Sequence, residues 1–147
     1  MEDFSKMKET ILAVIGVIGA FVAHAFGGWD AAIATLLIFM AIDYLSGLIV
    51  AGIFHASPKS ESGSLESKAA SKGLIRKGMA LLVVLIGTRL DLILGINYVR
   101  DGIIIAFCVS ELISFVENMG LMGIKMPEPL VNAIDLLKRK EQPEKTE

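Results

Sequence analysis

The stretch AAIATLLIFMAIDYLSGLIVAGIF, Ala31 to Phe54, decides the fold class. A helix that crosses a hydrocarbon core of about 30 Å needs about 20 largely apolar residues, and this run supplies 24 with one charge, Asp43, at its middle. Twelve Leu, Ile, Val or Phe residues contribute about −0.3 to −0.6 kcal/mol each, which outweighs an acid at roughly +2.5 to +3.5 kcal/mol. The segment is therefore expected to insert despite the acid. Upstream, Thr10 to Trp29 holds no Asp, Glu, Lys or Arg, and Trp29 stands where an interfacial aromatic ring is favoured. A cleaved signal peptide competes there, since Lys6 and Lys8 precede the apolar run and Ala23-His24-Ala25 has the A-x-A form, but Glu2, Asp3 and Glu9 spoil a positive leader.

Composition agrees with lipid as the solvent. The 147 residues are 54% hydrophobic and 20% charged, with a mean hydropathy of +0.64, which excludes a disordered tail, a disulfide scaffold and an ordinary soluble enzyme. A net charge of −2 argues against nucleic acid as a partner, because phosphate binding needs a basic face. The one cysteine, Cys108, lies in an apolar run and reads as a packing residue.

Downstream, His55 to Lys77 is rich in Ser and holds Pro58, Glu61, Glu66 and five Lys or Arg, the composition of a solvated basic loop. A third span is expected from Gly78 to about Ile96 through Arg89 and Asp91. A fourth runs from about Val99 to Met119 through Glu111, after a short turn at Gly95-Ile96-Asn97-Tyr98. Arg89 and Asp91, two apart, do not face each other on a helix, so each must snorkel, meet water or find another partner. After Pro127 and Pro129, Leu130, Ile134 and Leu137 fall at helical spacing and predict a short amphipathic helix over 130–140, ending in Lys138-Arg139-Lys140. Such a helix either rests on an anionic leaflet or is a solvated stub.

The expected architecture is an all-α integral membrane protein with four spans and a short C-terminal amphipathic helix. Its parts are an N-terminus at 1–9, a helical hairpin at 10–54, a polar loop at 55–77, third and fourth spans within 78–119 and a tail at 120–147. Twelve of 14 Lys and Arg residues then fall on the N-terminal face, which places both termini in the cytoplasm. The alternative has three spans, with 78–119 as one long or re-entrant element.

No catalytic or metal-binding constellation is present: His24 and His55 stand far apart, and H-E-x-x-H, paired cysteines, G-x-S-x-G and a phosphate-binding glycine loop are all missing. No cofactor is expected. The informative residues are acids inside apolar runs, because a charge in a span faces a bundle interior or a water-filled cavity. Asp43, Gly47 and Ala51 share one helical face at small-residue spacing that lets helices approach closely. Gly16 with Ala20, and Gly19 with Ala23 and Gly27, repeat the device in the first span. Ser110, Glu111, Ser114, Glu117 and Asn118 form one polar stripe. It can line water, bind another polar helix, or mark where the helix leaves the membrane.

Glu111-Leu112-Ile113-Ser114-Phe115-Val116-Glu117-Asn118, followed by Gly123 and Pro127, resembles the E-x-x-S-x-x-E-N-x4-G-x3-P signature of the toxin-secretion/phage-lysis holin family. Asp43-Tyr44-Leu45-Ser46-Gly47 resembles its D-Y-x-x-G element, and Ser71-Lys72-Gly73-Leu74-Ile75-Arg76-Lys77 its Ser/Lys/Gly loop. Asp91 and Gly95 sit where that family tends to place an acid and a glycine. The likeness runs from Asp43 to Leu137, about two thirds of the chain. It departs at Ser110, where the family often has asparagine, and the first span carries no motif that aligns. The resemblance implies a non-enzymatic holin that forms homo-oligomers in the bacterial cytoplasmic membrane and opens lesions for an endolysin or a toxin. Asp43, Gly47, Ala51, Arg89, Asp91, Glu111, Ser114, Glu117 and Asn118 are then candidates for the lumen or assembly surface, and Gly16, Gly19, Ala20 and Ala23 for helix packing. A competing class is a small proton- or cation-coupled transporter using Asp43 and Glu111, and another is a membrane anchor for a cytoplasmic partner.

Overall fold

A computed structural model of the chain describes residues 2–141. These fold into five helices with no strand among the described residues: α1 (Glu2–Ala25), α2 (Ala31–Gly52), α3 (Ser67–Leu94), α4 (Val99–Leu121) and α5 (Glu128–Glu141). The expectations placed on residues 142–147, Lys145 included, lie outside the described residues, as does the side chain of Lys140.

The chain forms two units, divided after Asp30. The first is α1 and its exit. Positive φ at Gly27 and Gly28, 82° and 100°, lets the backbone turn out of the helix, and the Gly28 N–H closes the end on the Ala23 carbonyl at 2.8 Å. Along α1 the apolar side chains, Leu12 and Phe21 among them, are exposed.

In the second unit α2 and α3 run antiparallel, and α3 and α4 form a tight antiparallel hairpin, with α4 packed against α2, α3 and α5. Leu36, Val50, Val84 and Ile104 are the fully buried apolar side chains. The hairpin turns where expected. Gly95 takes the left-handed conformation, φ 66° and ψ 32°, and its N–H and that of Ile96 both return to the Asp91 carbonyl. Asp91 itself finds its partner in backbone. Its carboxylate accepts the Val99 N–H at 3.0 Å and the Arg100 N–H at 2.9 Å, satisfying donors that the first turn of α4 cannot pair internally. Asp91→Ala is expected to cost about 0.5 to 2 kcal/mol, read as a lower melting temperature in detergent, with Asp91→Asn intermediate.

Three sequence expectations change in detail. Residues 67–77, expected in the polar loop, are the first turns of α3, so the loop between α2 and α3 is shorter than expected, residues 53–66. Ser, Lys and Ala tolerate a helix well, and the serine-rich composition misled because Gly73 serves contact rather than a turn: a Cβ there would meet the Tyr44 ring at 3.7 Å. Residues 78–119 are not one continuous helix, since the chain breaks at Gly95. Of the four expected spans, two helices, α1 and α2, are long and apolar enough to cross a membrane; α3 and α4 carry more charge.

At its C-terminal end α4 stops on Gly123, whose φ of 75° lets the Ile124 N–H reach the Met119 carbonyl at 2.9 Å. Pro127 then opens α5, its carbonyl accepting the N–H groups of Leu130 and Val131. The glycine and proline of the C-terminal motif are thus a helix stop and a helix start. The helix expected over 130–140 is α5, and it buries Ile134.

Candidate functional site

The second unit buries a set of polar side chains beside its apolar core and exposes large apolar ones. Asp43, Ser46, Thr88, Asp91, Arg100 and Asn118 are buried, whereas Leu45, Ile53, Ile86 and Ile93 are exposed, Ile93 to 80%. Exposed apolar side chains of this size cost free energy in water and suit a lipid surrounding, while the buried polar groups are satisfied by one another.

Three helices meet at one ammonium group. Lys77, three turns into α3, donates to Asp43 Oδ2 on α2 at 2.7 Å and to Glu111 Oε2 on α4. All three side chains are largely buried; that of Lys77 is 14% exposed. Asn118, one helical repeat beyond Glu111, extends the network. Its Nδ2 donates to Ser46 Oγ at 2.8 Å, Asp43 Oδ1 at 3.2 Å and the Asp43 carbonyl at 3.3 Å, while the Ser46 hydroxyl donates to that carbonyl at 2.9 Å. The formal charge of the trio is −1, from two carboxylates and one ammonium.

The loop between α2 and α3 reaches the same place. Lys59 Nζ donates to Ser114 Oγ at 3.4 Å, beside the Glu111 turn. Within the loop, Gly63 at φ 73° packs so tightly on His55 that a Cβ would lie 2.5 Å from the His55 carbonyl oxygen. The Glu66 carboxylate accepts the Ser62 hydroxyl at 2.8 Å and the Ser62 N–H at 3.3 Å, and these bonds hold its pKa below the ordinary carboxylate value. Loop and helices enclose a cleft of about 610 Å³.

The structure brings Asp43, Glu111, Ser114 and Asn118 together around Lys77, and it sets Gly47 and Ala51 beside them on the cleft wall. Gly47 is close to Asn118, at 3.7 Å from a Cβ. It does not bring in Arg89 or Glu117, which are exposed, or Asp91, which caps α4. On α1, Gly16 and Gly19 have open space where a Cβ would stand; Ala20 is exposed and Ala23 half-buried. Lys77 itself was not among the expected site residues. The signal for it was physical: two acids in apolar helices demand a counter-charge, and Lys77 is the basic residue bordering the third apolar run.

Fold and site together describe an all-helical protein with a buried polar network, exposed apolar helix faces and two helices long and apolar enough to cross a membrane. The chain belongs to the bacteriophage holin family, whose model matches residues 20–139. That match begins within the first apolar run, upstream of the motifs at Asp43 and beyond. An uncharacterized protein of Listeria innocua is 39% identical over 127 residues, covering 84% of this chain and 85% of the relative. An uncharacterized protein of Clostridium perfringens is 34% identical over 139 residues, 91% of this chain and 97% of the relative. A probable holin of Bacillus phage phi105 is 27% identical over 103 residues, 69% of this chain and 70% of its own. No solved structure matches. Family membership points to a membrane-associated, non-enzymatic role.

Proposed function

We propose that the protein is a holin that oligomerises in the bacterial cytoplasmic membrane and opens lesions through which an endolysin, or a secreted toxin, reaches the cell wall. The observation that carries this reading is the Asp43–Lys77–Glu111 cluster buried in an apolar-surfaced bundle of a holin-family chain. Four spans serve it: α3 and α4 cross as a hairpin with their buried charges turned inward, both termini cytoplasmic. At 1.5 Å per residue the 28-residue α3 is about 42 Å long, so its first turns extend beyond the hydrocarbon. Before triggering, Lys77 satisfies both acids within one protomer. In the open state the same groups part and line water shared by several copies. Membrane potential biases that exchange, since one charge moved across 100 mV is worth about 2.3 kcal/mol.

The test is induction of the gene in a bacterium together with a cytoplasmic endolysin. Optical density is expected to fall abruptly at a set time after induction. Continued growth with an intact membrane potential would overturn the holin reading, and saturable, substrate-specific flux in a viable host would replace it with the transporter. Asp43→Asn and Glu111→Gln are expected to shift the onset of lysis, or block it, while leaving membrane insertion intact. Unchanged onset in both variants would remove the acids from the trigger. Maleimide labelling of a cysteine placed in the tail of intact cells would favour three spans.

A further inference from the structure

The cleft beside the charge cluster has a polarity gradient of its own. Lys72, Arg76, Met79 and Val83 recur at helical spacing on one face of α3, and all four line it. The face is basic at the loop end and apolar deeper, over about 16 Å of helix from Lys72 to Val83. Phe107 of α4 continues the apolar wall, and Lys59 of the loop faces the basic end. The acids in the same wall are engaged, Asp43 and Glu111 by Lys77 and Glu66 by Ser62. Lys72 and Arg76 form no ion pair with another described residue. Ser60, next to Lys59, contributes a buried hydroxyl that has no hydrogen-bond partner among the described residues. Basic groups above an open apolar groove are complementary to an anionic amphiphile, and basic pockets between spans on the cytoplasmic side suit anionic headgroups.

We infer that the cleft binds one anionic phospholipid, with its phosphate against Lys59, Lys72 and Arg76 and an acyl chain along Met79, Val83 and Phe107. The inference rests on the membrane-spanning placement of α2 to α4 proposed above. The bound lipid bridges the α2–α3 loop and the outer face of α3, so the closed cluster depends on the leaflet around it.

The experiment is native mass spectrometry of the full chain, purified in detergent and supplied with phosphatidylglycerol or phosphatidylcholine of the same acyl chains. Wild-type protein is expected to retain phosphatidylglycerol preferentially. The preference should fall about five-fold for each basic residue removed in Lys72→Gln and Arg76→Gln, and stay unchanged in a Lys138→Gln/Arg139→Gln control on α5. Equal retention of the two lipids, or equal loss in the control pair, would overturn the site. Displacement by glycerol 3-phosphate at matched concentration would overturn the phospholipid as ligand. Carbonate extraction of membranes separates the two levels. A chain stripped from the bilayer overturns the membrane placement and the lipid site with it, while an embedded chain without lipid preference overturns the lipid site alone.

Discussion

Lys77→Met is expected to destabilise the α2–α3–α4 bundle by about 3 to 5 kcal/mol, because removing one partner of a buried ion pair leaves uncompensated charge. Here a single ammonium serves two carboxylates, so the variant strands both Asp43 and Glu111 in a largely buried site. Against a typical total of about 5 to 15 kcal/mol, that loss is large. The measurement is thermal unfolding in detergent followed by helicity, and a melting temperature equal to wild type would show that Lys77 does not close the cluster. Neutralising an acid should then help rather than harm. Lys77→Met combined with Glu111→Gln is expected to be more stable than the sum of the single effects, with a coupling of about 0.5 to 3 kcal/mol. Independent additivity would mean that the lysine and the acid do not share one site.

The asymmetry among the three charges has a functional consequence within the holin reading. Glu111→Gln leaves a neutral Asp43–Lys77 pair with Asn118 still on Asp43, so the closed bundle keeps its paired core. Lys77→Met removes the ammonium that joins α3 to both α2 and α4. Stability and lysis timing are therefore expected to separate: the glutamine variant alters timing from a folded protein, and the methionine variant fails earlier, at folding.

Much of this was legible because lipid makes composition decisive. The limits of α2, the turn at Gly95 to Tyr98 and the helix after Pro127 follow from apolar runs and their breakers, and each is found within a few residues of its expected place. The acids at Asp43 and Glu111 stood out for the same reason. What stayed hidden has a different physical character. Asp91 pairs with peptide N–H groups, which every residue carries and no sequence letter displays. The first turns of α3 read as loop because their polar residues suit both water and a helix end, and it is packing on Tyr44, against Gly73 and through its hydroxyl to the Ala70 carbonyl, that marks them as helix. Lys77 stood at the border of that segment, so it was counted with the loop although its ammonium lies three turns inside α3. The three motifs that carry the family likeness are far apart in sequence, yet Asp43, Lys77, Glu111 and Asn118 form one connected network, which gives a physical reason for the spacing of all three.

Gly87 offers the second large effect, and it tests the hairpin independently of the charges. A Cβ on Gly87 would lie 2.6 Å from Ile103 Cδ1 and 3.3 Å from the Arg100 Cα. The first atom is the end of a flexible side chain and can rotate away, whereas the second is backbone and moves only with α4. Gly87→Ala therefore sets a gain of roughly 1 kcal/mol in helix propensity against about 1 to 3 kcal/mol of overpacking. Its net cost is expected to be about 0 to 2 kcal/mol. Gly87→Leu has no such balance, because its branched end cannot turn from Ile103 without meeting the α4 backbone. Forcing α4 away also pulls Val99 and Arg100 from the Asp91 carboxylate, one turn along, so overpacking and cap loss together are expected to cost about 3 to 5 kcal/mol. The ordering to be measured by thermal unfolding in detergent is Gly87→Leu lowest, with Gly87→Ala and Asp91→Ala both between it and wild type. Because steric contact does not depend on charge, Glu111→Gln should leave that ordering intact. A leucine variant as stable as the alanine variant would mean that α3 and α4 do not approach at Gly87, and the hairpin that carries Glu111 to Lys77 would have to be redrawn.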